Sequence, residues 1–149
     1  MVKVYLGSDH AGFKLKDKVK RWLNKNEIRY EDLGNTNYEK TDDYPDYALK
    51  VAKKVSKASS KTLGVLVCGS AQGMCIAANK VKGIRAVVPF SIKEAKLSKE
   101  HNNANIICLS GWYEKNTLRM LKIFLETKFS KETRHRRRVN KIKQIEKKI

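Results

Sequence analysis

Long apolar runs are missing from this chain of 149 residues. No stretch approaches the roughly 20 residues that cross a bilayer as a helix. Residues 1–6 lack the charged end and long apolar run of a secretory signal. A cytoplasmic protein with no membrane partner is expected. Cysteine is scarce: three residues, an odd number, make a poor disulfide framework, and none forms a Cys-x-x-Cys pair with histidines at zinc spacing. Free thiols and no metal are expected. Acidic residues are also few, 15 against 33 lysines and arginines, which leaves a formal charge of +18. Such an excess ordinarily points to nucleic acid. Its dispersal argues against that as the main function, because the lysines lie on every polar face, Lys14, Lys16, Lys18 and Lys20 of one helical stretch included. A basic surface still draws in phosphorylated metabolites.

Familiar phosphate loops are absent as well. A Cys-x5-Arg phosphatase loop starting at Cys68 would need arginine where Met74 stands, and a Walker A loop would need lysine after Gly69, where Ser70 stands. No binding motif for a redox cofactor is visible, and no cofactor is expected.

What the chain does contain is alternation. Residues 2–6, 28–33, 62–67, 84–88 and 105–109 read as strands. Helical spacing falls between them at 13–23, in a stretch carrying Tyr47, Ala48, Val51, Ala52 and Val55, and at 74–80 and 91–100; a last helix follows at 115–128. The third strand is apolar nearly throughout, as a strand covered on both faces should be. The pattern implies one α/β domain, residues 1–130, with a five-stranded parallel sheet between two helical layers. Residues 131–149 form a basic extension with Val139, Ile142, Ile145 and Ile149 at near-helical spacing, expected to dock on a partner subunit, with a nucleic-acid-binding tail as the rival reading.

In such sheets ligands bind at the carboxyl edge of the strands. Asp9 and His10, Cys68 with Gly69 to Gly73, and His101 with Asn102 near the fifth strand are therefore expected to be neighbours. Cys68 follows a buried strand and precedes a glycine-bearing turn into a helix, whose first amides should lower the thiol's pKa and suit it to act as base or nucleophile. A cysteine in that position is otherwise an inert core residue. Asp9 can equally be a helix cap. The Asn-rich stretch from His101 to Asn105 can equally be ordinary turn chemistry. Arg134 and Arg138, four apart on one helical face, can clamp a phosphate or merely be solvated.

The combination of motifs is more specific than any one of them. Gly7-Ser8-Asp9-His10-Ala11-Gly12, Thr41-Asp42-Asp43-Tyr44-Pro45, Cys68-Gly69-Ser70, Ile76-Ala77-Ala78-Asn79-Lys80, Gly83-Ile84-Arg85-Ala86 and Leu97-Ser98-Lys99-Glu100-His101-Asn102 occur in order. Together they closely resemble the type B ribose-5-phosphate isomerases and the related galactose-6-phosphate isomerase subunits. The resemblance implies a Rossmann-like fold and a homodimer or dimer of dimers with shared sites and no cofactor. It also implies an aldose-ketose isomerisation between D-ribose 5-phosphate and D-ribulose 5-phosphate in the pentose phosphate pathway.

By the same resemblance Cys68 moves the proton between C2 and C1, His101 assists ring opening, and Asp9 and Tyr44 hold hydroxyls. Ser70 and the amides around Gly69 and Gly73 stabilise the enediolate. His10, Arg134 and Arg138 hold phosphate, and Asn102 contacts a hydroxyl. Three positions depart from the pattern: Ala71 for a usual glycine, Asn103 for an aspartate, and Trp112 where an arginine is typical. A six-carbon sugar phosphate such as allose or galactose 6-phosphate is the alternative substrate. A basic nucleic-acid-binding protein on the same fold is the alternative class.

Overall fold

Thr62–Cys68 is buried at every position, which requires a sheet covered on both faces. The computed structural model describes residues 1–149. Its elements alternate as β1 Lys3–Ser8, α1 Phe13–Lys25, β2 Arg29–Asp32, α2 Tyr44–Ser56, β3 Thr62–Cys68, α3 Gln72–Ala78, β4 Ala86–Val87, α4 Ile92–Asn102, β5 Ile106–Ser110, α5 Thr117–Glu126 and α6 Thr133–Lys147. The sheet is parallel throughout, in the order β2-β1-β3-β5-β4. This is the expected Rossmann-like α/β/α architecture. Successive crossovers diverge between β1 and β3, so their carboxyl ends open a crevice between the two loops that leave them.

Alternation along the strands divides the core. Leu63, Val65 and Val67 of β3 join Val4, Leu6, Ile107 and Leu109 under α1 (Leu15, Val19, Leu23) and α5 (Leu121, Phe124, Leu125). Leu66 and Cys68 join Ile106 and Cys108 on the other face, under Val51 and Val55 of α2 and Met74 and Ala78 of α3. The two clusters hold 14 and 13 buried residues, so neither face could be left open. Phe124 is the largest fully buried side chain, and truncating it to alanine would cost about 3–5 kcal/mol.

Three of the boundaries that differ from the sequence expectation have a local cause or shift the site. β4 is two residues rather than five, because Asn105 and Asn79 side chains take the N–H groups of Arg85 and Ala86, each at 2.8 Å. α3 begins at Gln72 rather than Met74. α5 starts only at Thr117, after Asn116 turns left-handed with φ 59°. The C-terminal helix α6 buries His135 and Val139 and packs against α4, while Ile145 and Ile149 stay 60% and 84% exposed. No helix is long and apolar enough to cross a membrane.

Candidate active site

The loop after β1 carries Asp9 and His10. Asp9 is 5% exposed, and its Oδ1 accepts the Gly12 N–H at 3.0 Å, closing the turn that precedes α1, whose N-cap is Gly12 with no side-chain cap. Burial pushes its carboxyl pKa up, with the Asp42 charge adding and the Gly12 and Ala11 amides and His10 opposing. The His10 ring meets Asp42 Oδ1 through Nδ1 at 2.7 Å, and that hydrogen bond raises the histidine pKa. Burial alone would raise the Asp42 pKa, but hydrogen bonds from His10 and from Asn35 bring it below the usual carboxylate value. Ligand atoms of Asp9, His10 and Asp42 lie within 4.8 Å of one another, although the Asp42 oxygens are already spent on His10 and Asn35.

Cys68 ends β3, 4% exposed. The expectation of a lowered thiol pKa is corrected here. Burial pushes it up, the Asp9 and Cys75 charges add to that, and the Met74 and Ala71 amides only partly offset it. Removal from water outweighs two N–H dipoles. The other two cysteines pack behind it in the same core cluster, and all three thiols are free.

The loop from Gly69 to Gly73 is held by its neighbours. A Cβ on Gly73 would lie 2.5 Å from Cζ of Tyr44, and one on Gly69 would lie 2.5 Å from the Trp112 indole. Only glycine lets both rings close on the loop. Tyr44 opens α2, immediately before Pro45, which suits a first helical turn. Ser70 Oγ accepts the Gln72 N–H at 3.3 Å. From β5, Ser110 donates to the Gly69 carbonyl at 2.6 Å and accepts the N–H groups of Trp112 and Tyr113. Asp9, His10, Tyr44, Cys68, Gly69, Ser70 and Gly73 therefore form one cluster at the carboxyl edge. Asp42 and Ser110 organise it, and nothing in the sequence assigned them a role.

His101 and Asn102 do not join that cluster. They end α4, which runs antiparallel to the strands, and Asn105 just beyond them donates through its main chain to Arg85 and accepts from Gly64. Gly64 pairs with Ile106 and Cys68 with Ser110, so this amino edge is four residues, about 13 Å, down the strand from Cys68. Their expected adjacency to Cys68 within one chain is corrected: a residue in the loop before a strand sits at the edge opposite to one after it. The structure instead puts His101 against α6, with ring centroids of His101 and His135 4.2 Å apart. Arg134 and Arg138 flank His135 on that helix, and Arg134 Nε pairs with Glu132 at 3.1 Å. The Asn102 main-chain carbonyl accepts Arg85 Nε at 3.1 Å.

Comparison with known proteins addresses the fold and the motifs together. The profile of the family described as Ribose/Galactose Isomerase matches residues 4–142. The chain belongs to the ribose/galactose isomerase family. It is 41% identical to the probable ribose-5-phosphate isomerase B of Mycoplasma genitalium over 97% of this chain and 95% of that protein. It is 36% identical to the ribose-5-phosphate isomerase B of Mycobacterium tuberculosis, over 97% of this chain and 90% of that one. A crystal structure of the Mycoplasma genitalium enzyme with bound ribulose-5-phosphate superposes with a TM-score of 0.94 at 40% identity, covering 99% of this chain and 98% of that one.

Against the pattern of this isomerase family the three departures now have places. Ala71 caps α3 with φ 70°, a left-handed conformation that glycine adopts without strain. Asn103 ends α4 with φ 49°, a role asparagine fills better than most residues, and its N–H closes on the Lys99 carbonyl at 3.1 Å. Trp112 places an apolar ring, 67% exposed, over the Gly69 backbone, at the position where the resemblance implies an arginine.

Proposed function

We propose that this chain interconverts D-ribose 5-phosphate and D-ribulose 5-phosphate as a cytoplasmic enzyme of the pentose phosphate pathway. The observation that carries the reading is the setting of Cys68: one buried thiol at the sheet's crevice, faced by the Ala71 and Met74 amides, with the Asp9 carboxyl alongside. Isomerisation needs one base, fixed dipoles for developing negative charge, and ring-opening groups. Family membership supports the same chemistry.

In its thiolate form, the minor one at neutral pH, Cys68 takes the proton from C2 of the open-chain aldose; the C–H electron pair becomes the C1–C2 double bond of the enediolate. The O2 proton shifts toward O1, and Cys68 returns its proton to C1, giving the ketose. The amides of residues 69–73 and Ser70 oppose the charge that builds on the enediolate oxygens. Asp9 and Tyr44 hold hydroxyls, and the His10 cation holds phosphate. His101, Asn102, Arg134 and Arg138 serve ring opening, hydroxyl contact and phosphate binding. They lie at the opposite sheet edge, so the complete site takes one cluster from each of two copies. A homodimer or dimer of dimers follows, with the apolar stripe of residues 131–149 seated on the partner.

Rates of ribulose 5-phosphate formation by the wild type and Cys68→Ala test the proposal. Turnover that falls by about 10²–10⁴-fold in a folded variant supports the thiol as base; unchanged turnover would sink it. The Trp112 indole, which replaces a cation beside the loop, favours one second reading, a six-carbon sugar phosphate. Faster turnover of allose 6-phosphate than of ribose 5-phosphate would establish it.

A further inference from the structure

Resting on the reading of His101 as the ring-opening group, we infer that His135 is a positioning residue for His101, itself held in place by Ser130. The two rings face each other at 4.2 Å between centroids, tilted by 33°. His135 is 3% exposed, while His101 is only half-buried, so His135 is the fixed member of the pair and His101 the one that meets a ligand.

Hydrogen bonding holds the His135 ring. Ser130 Oγ lies 2.6 Å from His135 Nδ1 and accepts the Glu132 N–H at 3.3 Å. The hydroxyl keeps its proton and a second lone pair for Nδ1, so the contact fixes the orientation of the ring in either tautomer. Ser130 is itself tied to the helix it serves, because its N–H donates to the Glu100 carbonyl at 3.1 Å, next to His101. The loop between α5 and α6 therefore locks His135 onto the last turn of α4.

The surroundings keep His135 uncharged. Burial, then the neighbouring His101, Arg134 and Arg138, oppose its protonation, and the Glu132 carboxylate favours it. A ring that stays neutral leaves proton exchange to its half-buried neighbour and supplies a flat surface that limits how the His101 ring can rotate. A side chain present only to fill space would need neither the serine nor the nitrogen.

Two activities separate this role from simple packing. Ribulose 5-phosphate has O5 esterified and cannot close a five-membered ring, so exchange of its C1 proton with solvent needs Cys68 chemistry and no ring opening. Conversion of ribose 5-phosphate needs both. In His135→Phe, which keeps an aromatic face and loses both nitrogens, kcat/KM for conversion should fall by about 10-fold or more, within the range for disturbed acid-base catalysis. Deuterium exchange into ribulose 5-phosphate should stay within about 3-fold of wild type, because the Cys68 cluster is untouched. Ser130→Ala should shift the two rates apart in the same sense.

His101→Ala is the reference. If it separates conversion from exchange and His135→Phe does not, the inference is overturned while the role of His101 stands. If conversion and exchange fall together in His135→Phe, the residue is structural and the inference is likewise overturned. If His101→Ala leaves the two rates coupled, the ring-opening reading of His101 itself fails.

Discussion

A single carboxylate oxygen of Asp42 grips His10 twice, taking ring Nδ1 at 2.7 Å and the main-chain N–H at 3.1 Å. The other oxygen accepts Asn35 Nδ2 at 2.9 Å, and the Asn35 carbonyl accepts the Lys16 ammonium, which also pairs with Asp32 at 3.0 Å. The histidine is thus braced through a chain of polar contacts that reaches β2 and α1. Its Nε2 is left to meet an anion.

The first prediction follows from the sign of that contact. The Asp42 hydrogen bond raises the folded-state pKa of His10 above the ordinary value of about 6.5. Its contribution to folding is complete below that ordinary value and is lost as pH rises through the raised one. Phosphosugar binding follows the same curve, so KM should climb as pH passes through the His10 titration. In Asp42→Asn the rise should begin at lower pH, and KM at neutral pH should increase by about 3–10-fold, the loss of part of a charge-assisted bond. A KM profile that Asp42→Asn leaves in place would separate His10 from phosphate binding.

Cys68 gives a second prediction, of opposite character to an activated cysteine. Burial raises its pKa, so the resting thiol is protonated at neutral pH. Alkylation by iodoacetamide should be slow there and should accelerate only above the free-thiol value of about 8.5. The folded state holds this proton more tightly than the unfolded chain, so stability should decline as pH rises through the free-thiol value. Fast alkylation of Cys68 at pH 7, mapped by peptide mass, would contradict the burial argument.

Particular residues explain how far the sequence could be read. The nearly all-apolar stretch from Thr62 to Val67 disclosed a doubly covered strand, and with it the edge where Asp9 and Cys68 meet. His101 was misplaced because proximity to β5 in number does not say which end of that strand the residue serves. Asp42 lies 32 residues from His10, and only the fold brings them together. The direction of the Cys68 shift depends on burial depth, which a motif does not encode. Asn79 and Asn105 shortened β4 by offering side-chain oxygens where a strand was expected, a competition that apolar patterning cannot register.

Ala71 supplies a third prediction. Its left-handed φ of 70° costs an alanine about 1 kcal/mol or more, whereas its fully buried methyl contributes about 0.8 kcal/mol. Glycine would relieve the strain, lose the methyl, and add about 0.5–1 kcal/mol of unfolded-state entropy. These nearly cancel, so Ala71→Gly should change stability by less than about 1 kcal/mol. Ala78→Gly, buried in the helical α3 with no strain to relieve, should cost about 1 kcal/mol or more in the same urea titration. Equal losses at both positions would mean that Ala71 carries no strain.

The last prediction concerns the contact between Gly69 and Trp112. A Cβ at position 69 would stand 2.5 Å from Cε2 and Cζ2 and 2.8 Å from Cη2 of the indole. The main chain cannot yield readily, since Gly111 N–H donates to the Cys68 carbonyl and Trp112 N–H to that of Gly69. The indole can, because it is 67% exposed. Gly69→Ala should therefore swing Trp112 outward, change its fluorescence, and cost less than about 1.5 kcal/mol of stability. If the ring shapes the sugar-phosphate site, KM should change in Gly69→Ala and in Trp112→Ala by similar factors. The double variant should then be no worse than Trp112→Ala alone, because both substitutions remove the same surface. Independent, multiplicative effects on KM would show instead that Gly69 acts through its own backbone amide, and that the tryptophan in the place of a cation is a neutral tenant of the loop.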